Sequence, residues 1–157
     1  MSHKTLILMR HGHATDATYD KRRPLSTRGI MQATLSAQRI ATLSLTDPHI
    51  LASDAIRAQQ TADILCRQLA SAHGVETVQS LFTGLTTNDL LTHLSPDDDC
   101  IIVVGHNPDI SIIADMLSAQ SVGPSFPPAG FVALTFNVHN WQSIIPHSGN
   151  IILHNLG

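Results

Sequence analysis

The chain has 157 residues, 43% of them apolar and 13% charged, which suits one compact domain around a single core and leaves little room for disorder. Its net charge is −3 and it has no Lys/Arg-rich run, so the electrostatic footprint of a general nucleic-acid or anionic-membrane binder is missing. No stretch approaches the ~18 apolar residues that span a bilayer, and residues 1–9 have neither the apolar core nor the cleavage site of a secretory leader. A cytoplasmic protein is expected, with Cys66 and Cys100, far apart and outside any CxxC spacing, as buried apolar cysteines kept reduced.

Residues 4–9 (Lys-Thr-Leu-Ile-Leu-Met) form an apolar run that stops at Arg10-His11-Gly12, the pattern of a buried strand emptying into a loop. Ser26 or Thr27 can cap a helix to about residue 43, with Ile30, Ala33, Ala37, Ile40 and Ala41 on one face. Residues 49–52 read as a second strand. Asp54 can cap a helix from Ala55 to about His73, buried through Ala58, Ala62, Leu65, Cys66 and Leu69 and stopped by Gly74. A third strand is expected at 76–79, then a short helix opened by Thr86 or Thr87 and ending at Leu94. Residues 100–104 (Cys-Ile-Ile-Val-Val) carry the strongest strand pattern, closed by Gly105, after which Asn107 and Pro108 read as N-cap and first residue of a helix to about Ala119. Residues 131–136, 141–145 and 151–154 look like the strands of a terminal meander.

Strands alternating with helices predict a three-layer α/β/α sandwich, with a mostly parallel sheet and an antiparallel edge. The chain shows no internal repeat or linker, so residues 1–157 are expected to form one domain. In open sheets of this kind ligands bind beyond the carboxyl ends of the strands. Three clusters fall at such ends: Arg10-His11-Gly12, the stretch from Ser53 through Arg57 to Ala62, and Gly105-His106-Asn107-Pro108. Each alone has an ordinary explanation, as a surface histidine, a solvated helix arginine or a capping loop. Their occurrence together, in this order and after separate strands, is what carries information.

With Arg23-Pro24-Leu25-Ser26-Thr27-Arg28-Gly29 ahead of the first helix, these clusters resemble those of the histidine phosphatase superfamily, and within it the small SixA-type phosphohistidine phosphatases. The resemblance covers nearly the whole chain. It implies a phosphoglycerate mutase-like fold without a cap domain. It also implies a phosphate pocket formed by Arg10, His11, Arg57 and His106, with His11 transiently phosphorylated. The chemistry suits those residue types. Phosphoryl transfer needs positioning and charge neutralisation around three equatorial oxygens. Arginine supplies a planar fork that stays charged, so Arg10 and Arg57 can clamp the group from two sides. A neutral imidazole is a competent nucleophile, and His106 beside a helix N-terminus can donate to the transferring group.

Two features depart from the resembling family: the general-acid glutamate, and His13, where an acidic or small residue is common. Many members protonate an alkoxide leaving group with a glutamate placed after the third strand, whereas here Glu76 is the only glutamate in the chain and sits within that strand. Phosphohistidine leaves as imidazole through a labile P–N bond, so a phosphoramidate substrate fits the lack better. Asp16, Asp20, Asp89 or His13 remain alternative proton donors. His13 either acts in this way or fills the loop. Arg23 either reaches the pocket rim as a further substrate-binding group or belongs to a surface cluster balanced by Asp16 and Asp20. Residues 127–130 form either a rim or a rigid connection.

His11-x-His13 invites a metal reading, but partners completing a three-ligand zinc site are not recognisable at any spacing. No metal or other cofactor is expected. The short segment before Cys100 leaves little material for a lid, so an open site suited to a histidine on another folded protein is expected. The resemblance implies a phosphorelay or phosphotransferase protein as that partner. Broad hydrolysis of small phosphomonoesters and phosphoprotein binding without turnover are the alternatives. A monomer is expected, because no helix shows an apolar stripe beyond its core face.

Overall fold

The computed structural model describes residues 3–157; Met1 and Ser2, where the leader-free reading of the N-terminus begins, lie outside the described residues. Six strands, β1 (Lys4–Arg10), β2 (His49–Ala52), β3 (Val75–Thr77), β4 (Cys100–Gly105), β5 (Phe131–Phe136) and β6 (Asn150–Asn155), form one sheet in the order β3-β2-β4-β1-β5-β6. Strands β1 to β4 run parallel, β5 is antiparallel to β1, and β6 is antiparallel to β5. The antiparallel strand is therefore one position in from the edge.

Alternation along the central strands sorts the core into two layers. Ile7 and Met9 of β1 face α1 (Thr27–Ala41) and α2 (Ile56–Leu69), meeting Ala37, Ile40, Ala58, Ala62 and Leu65. Leu6 and Leu8 face α3 (Thr87–His93) and α4 (Asp109–Leu117), meeting Leu90, Ile113 and Leu117. This is the expected three-layer sandwich, and among the described residues it carries no cap domain. No helix of the described residues is long and apolar enough to cross a membrane.

Several local expectations are corrected. The helix expected to reach His73 ends at Leu69, because Ala70 turns left-handed (φ 51°, ψ 45°) and the Ser71 hydroxyl ties the departing chain to the Pro48 carbonyl at 2.8 Å. Asp54 does not cap it. The Ser53 hydroxyl accepts from the Ala55 amide instead (3.1 Å), while Asp54 pairs with Lys21 at 2.9 Å. Residues 141–145 form no strand: Trp141–Ser143 is a 3-10 turn, and the buried indole donates to the Ser95 and Asp98 carbonyls, both at 3.0 Å. Helix α4 starts at Asp109, with Pro108 in the capping position. Asn107 contributes no cap and binds the Ser125 hydroxyl and the Phe126 carbonyl, both at 2.9 Å. Cys100 is buried, its thiol pushed up to about 12 chiefly by that burial, whereas Cys66 is only half-buried.

The premise of the monomer expectation also fails. Ile30, expected inside, is 50% exposed, and Met31 and Leu35 of α1 and Ile112 and Met116 of α4 are exposed as well.

Helix α1 is locked to the loop after β1. Ser26 caps it through the Gly29 amide at 3.0 Å, and the Ser26 amide donates to the His13 carbonyl at 2.9 Å. The fit leaves no room for side chains at the glycines. A Cβ on Gly29 would overlap the His13 carbonyl, and one on Gly12 would sit 2.6 Å from the Gly29 carbonyl oxygen. Gly29→Ala is expected to lower unfolding stability by about 3 kcal/mol, read from the urea midpoint, whereas Ser26→Ala, which loses the cap, costs about 1 kcal/mol.

Candidate active site

Arg10 is the last residue of β1 and pairs in register with Gly105, the last residue of β4. Their adjacent parallel ends therefore bring His11 and His106 together, with ring centroids 5.0 Å apart. Strand β2 delivers Ser53 and then α2, whose second residue is Arg57. Its buried guanidinium donates from Nε to His11 Nε2 at 3.3 Å. Arg10 turns in from its strand end, and its Nη1 is held by the Phe126 carbonyl at 2.9 Å. Arg10, His11, Arg57 and His106 line one cavity of about 370 Å³, and Arg23, His13 and Pro128 complete its rim. All five sequence-assigned site residues thus meet at the carboxyl ends of the strands. A larger cavity between α3 and α4 is apolar, with Asp109 its one titratable group.

Hydrogen-bond accounting assigns the His11 tautomer. Nδ1 lies 2.7 Å from the Gly12 carbonyl, which can only accept, so Nδ1 carries the proton and Nε2 keeps its lone pair. His106 uses Nε2 towards the Ser53 hydroxyl at 2.7 Å, leaving Nδ1 as its free ring nitrogen. Burial pushes His11 down to about 3, helped by His106, Arg57 and Arg10 and opposed by the Gly12 carbonyl. Burial and Arg57 push His106 down to about 4, against Asp20, Asp109 and Asp54. Both rings are therefore neutral near pH 7. Burial and the Arg57 charge also lower the Arg10 pKa, yet a guanidinium stays protonated at any working pH. The result is two fixed cations and two neutral imidazoles around a small space, an arrangement that can hold a tetrahedral anion against an unprotonated nitrogen.

The four candidate proton donors fall apart in space. Asp89 belongs to the capping box of α3 with Thr86, and Asp16 is exposed; neither lines the cavity. Asp20 accepts from Arg57 Nη2 at 3.0 Å, and that contact holds its carboxyl below the usual range, so it is an anion and not an acid. Glu76 lies in β3 between His49 and His93, at 3.3 and 3.0 Å. No carboxylate is among the residues lining the cavity. His13 alone of the four is at the rim, its Nδ1 held 2.7 Å from the Ser26 hydroxyl. Among the described residues no group of three or more His, Cys, Asp or Glu side chains is placed so as to hold a metal ion.

Phe82 and Thr83 line the cavity without belonging to any sequence motif. They follow the turn Gln79–Leu81 and wall one side of the cavity. The Phe82 ring stands edge-on to His106 (centroids 5.1 Å apart), with Lys21 Nζ 4.8 Å from its centroid. The only hint in the sequence is a lone aromatic in the uncharged stretch between β3 and α3.

Acid sensitivity follows from the two depressed histidines. Their folded pKa values, about 3 and about 4, lie below the ordinary 6.5, so the unfolded chain takes up protons first as pH falls. Their contribution is complete above pH 6.5 and is lost as pH drops towards 4 and then 3. The urea midpoint is expected to fall between pH 6.5 and 4, and His106→Gln is expected to flatten that fall.

Comparison with known proteins agrees with this geometry. Residues 6–81 match the family model described as histidine phosphatase superfamily (branch 1). An uncharacterized protein of Picosynechococcus is 33% identical over 129 residues, 75% of each chain. The phosphohistidine phosphatase SixA of Escherichia coli is 26% identical over 147 residues, 87% of this chain and 91% of that protein. The fold is similar to that of a putative phosphohistidine phosphatase SixA from Nakamurella multipartitia, with a TM-score of 0.81 at 24% identity, covering 99% of this chain and 96% of that one. Fold, sequence match and the meeting of the motif residues at the strand ends agree: this chain belongs to the histidine phosphatase superfamily and is a phosphatase.

Proposed function

We propose that the protein hydrolyses phosphohistidine on another protein through a covalent phospho-His11 intermediate. The observation that carries this reading is a His11 ring whose Nδ1 is committed to the Gly12 carbonyl and whose Nε2 lies unprotonated beside Arg57, in a cavity lined by no carboxylate. Arg10 and Arg57 hold the phosphoryl oxygens, and His11 Nε2 attacks phosphorus in line with the departing group. The P–N bond of the substrate breaks, its electron pair passing to the leaving imidazole, which water protonates. Water then attacks phospho-His11, releasing inorganic phosphate and restoring the neutral ring. With the Ser53 hydroxyl donating to His106 Nε2, as its bond from the Ala55 amide permits, His106 Nδ1–H is left to donate to the transferring group. An alkyl phosphate would need a stronger proton donor than this cavity offers. The similarity to SixA of Escherichia coli supports the same substrate class.

Arg23 reads as a rim group for substrate. Its Nε is held by the Thr15 carbonyl at 3.0 Å and its Nη1 by Asp20 at 3.3 Å, which fixes its head at the cavity mouth.

Turnover is tested with a phosphohistidine-bearing phosphocarrier protein and a set of phosphate monoesters, without added metal. The phosphocarrier is expected to have the higher kcat/KM; release from monoesters alone overturns the substrate assignment. An acid-labile, alkali-stable phosphoenzyme is expected, absent in His11→Ala. Arg57→Ala and Arg10→Ala should each lower kcat by roughly 10²–10³ with the thermal midpoint little changed. Turnover near wild type in Arg57→Ala would sink the clamp assignment.

A further inference from the structure

The second and third guanidinium nitrogens of Arg57 do not face empty space. Nη1 donates to the Asp20 main-chain carbonyl at 2.7 Å and Nη2 to Asp20 Oδ2 at 3.0 Å, while Nε points at His11 Nε2. One residue therefore grips both terminal nitrogens of the arginine and leaves its remaining edge for the nucleophile. The contrast in burial is sharp: the Arg57 side chain is 7% exposed and that of Asp20 is 56% exposed, so the carboxylate reaches in from the surface.

Asp20 is carried by a loop built to hold it there. Residues 15–24 leave and return through the antiparallel bridge between Ala14 and Leu25, where the Thr15 amide donates to the Pro24 carbonyl at 2.8 Å. The tip is the 3-10 turn Asp20–Arg22, which touches down through Asp20 on Arg57 and through Lys21 on Asp54 at 2.9 Å and over the Phe82 ring. Arg23 at the cavity rim braces the other carboxylate oxygen from within the same loop. Its Arg57 and Arg23 partners keep Asp20 ionised, as a low carboxyl pKa agrees.

We infer that Asp20 is a positioning residue for Arg57, fixing the orientation of its guanidinium towards His11 while partly cancelling its charge. The inference rests on the reading of Arg57 as the phosphoryl clamp. The two effects pull in opposite directions on an anionic ligand. Holding the fork in place favours the transition state, in which donors must already be aimed. A carboxylate 3.0 Å from the same guanidinium weakens ground-state attraction for phosphate and so eases its release. Removing the carboxylate should therefore slow turnover and tighten phosphate binding together, the kinetic pattern of a group that acts differently on ground and transition states. A loop that merely stabilised the fold would produce neither change per folded molecule.

The test compares Asp20→Ala, Asp20→Asn, Lys21→Ala and Arg57→Ala, using an aryl phosphate for turnover and inorganic phosphate as competitive inhibitor. Asp20→Ala is expected to lower kcat roughly tenfold or more, the scale of one charge-assisted hydrogen bond, and to lower KM and the phosphate inhibition constant severalfold. Asp20→Asn keeps an oxygen acceptor for Nη2 but no charge. It should recover most of kcat while the tighter phosphate binding stays. Lys21→Ala frees the loop tip from Asp54 without touching Arg57, and is expected to change both values by less than about twofold. Wild-type kcat and phosphate inhibition in both Asp20 variants, with Arg57→Ala inactive, overturn the inference and leave the clamp standing. Full turnover in Arg57→Ala removes the clamp and the inference with it. A loss in Lys21→Ala equal to that in Asp20→Ala assigns the effect to loop anchoring and also overturns the inference.

Discussion

The side-by-side register of β1 and β4 governs everything placed above the sheet. Arg10 opposite Gly105 brings two parallel strands to an end at the same level, and each chain then releases a histidine into the same space. Slipping that register by one residue would reverse the faces of the whole β1 core, from Leu6 to Met9. The full burial of both faces therefore enforces the meeting of His11 with His106. The hydrophobic core and the candidate site are two consequences of one pairing.

Around that junction the fold gathers positive charge beside largely buried imidazoles. Arg57 arrives on the first turn of α2, and Arg10 is turned inward by the Phe126 carbonyl, which Asn107 also binds. The same burial that strengthens both cations towards an anion keeps His11 and His106 unprotonated, because desolvation disfavours the charged ring and the Arg57 guanidinium adds to that cost. A neutral nucleophile beside fixed guanidinium groups is thus one electrostatic state, set by desolvation. The loop carrying Asp20 and Arg23 offsets part of that positive charge from the solvent side.

Legibility differed by element for physical reasons. Strands β1, β4 and β5 are continuous apolar runs buried on both faces, and such runs announce themselves in one dimension. Residues 141–145 look equally strand-like, yet Trp141 spends its indole N–H on two carbonyls of a distant loop, and that satisfaction favours a turn. Helix α2 ends early at an alanine in left-handed geometry, where glycine at 74 is the obvious stop. Ile30 has the spacing of a core residue but lies at the rim of the groove between α1 and α2. Periodicity identifies a helix face to within about one residue's rotation and cannot say where the neighbouring helix begins.

For the site, the amino-acid sequence by itself determined the chemical inventory: Arg10, His11, Arg57 and His106, each in a cluster at the end of a strand, and one glutamate in the whole chain, Glu76, inside a strand. These are properties of residue type and order, and so they survive in one dimension. Only the tertiary structure decided that no carboxylate lines the cavity, that Asp89 caps a helix, that Phe82 forms a wall, and that Asp20 grips Arg57 from a surface loop. Those facts depend on which loops return over the strand ends, 37 residues apart in the case of Asp20 and Arg57. Sequence spacing carries no record of such contacts, because they are fixed by the packing of the whole sheet and its helices.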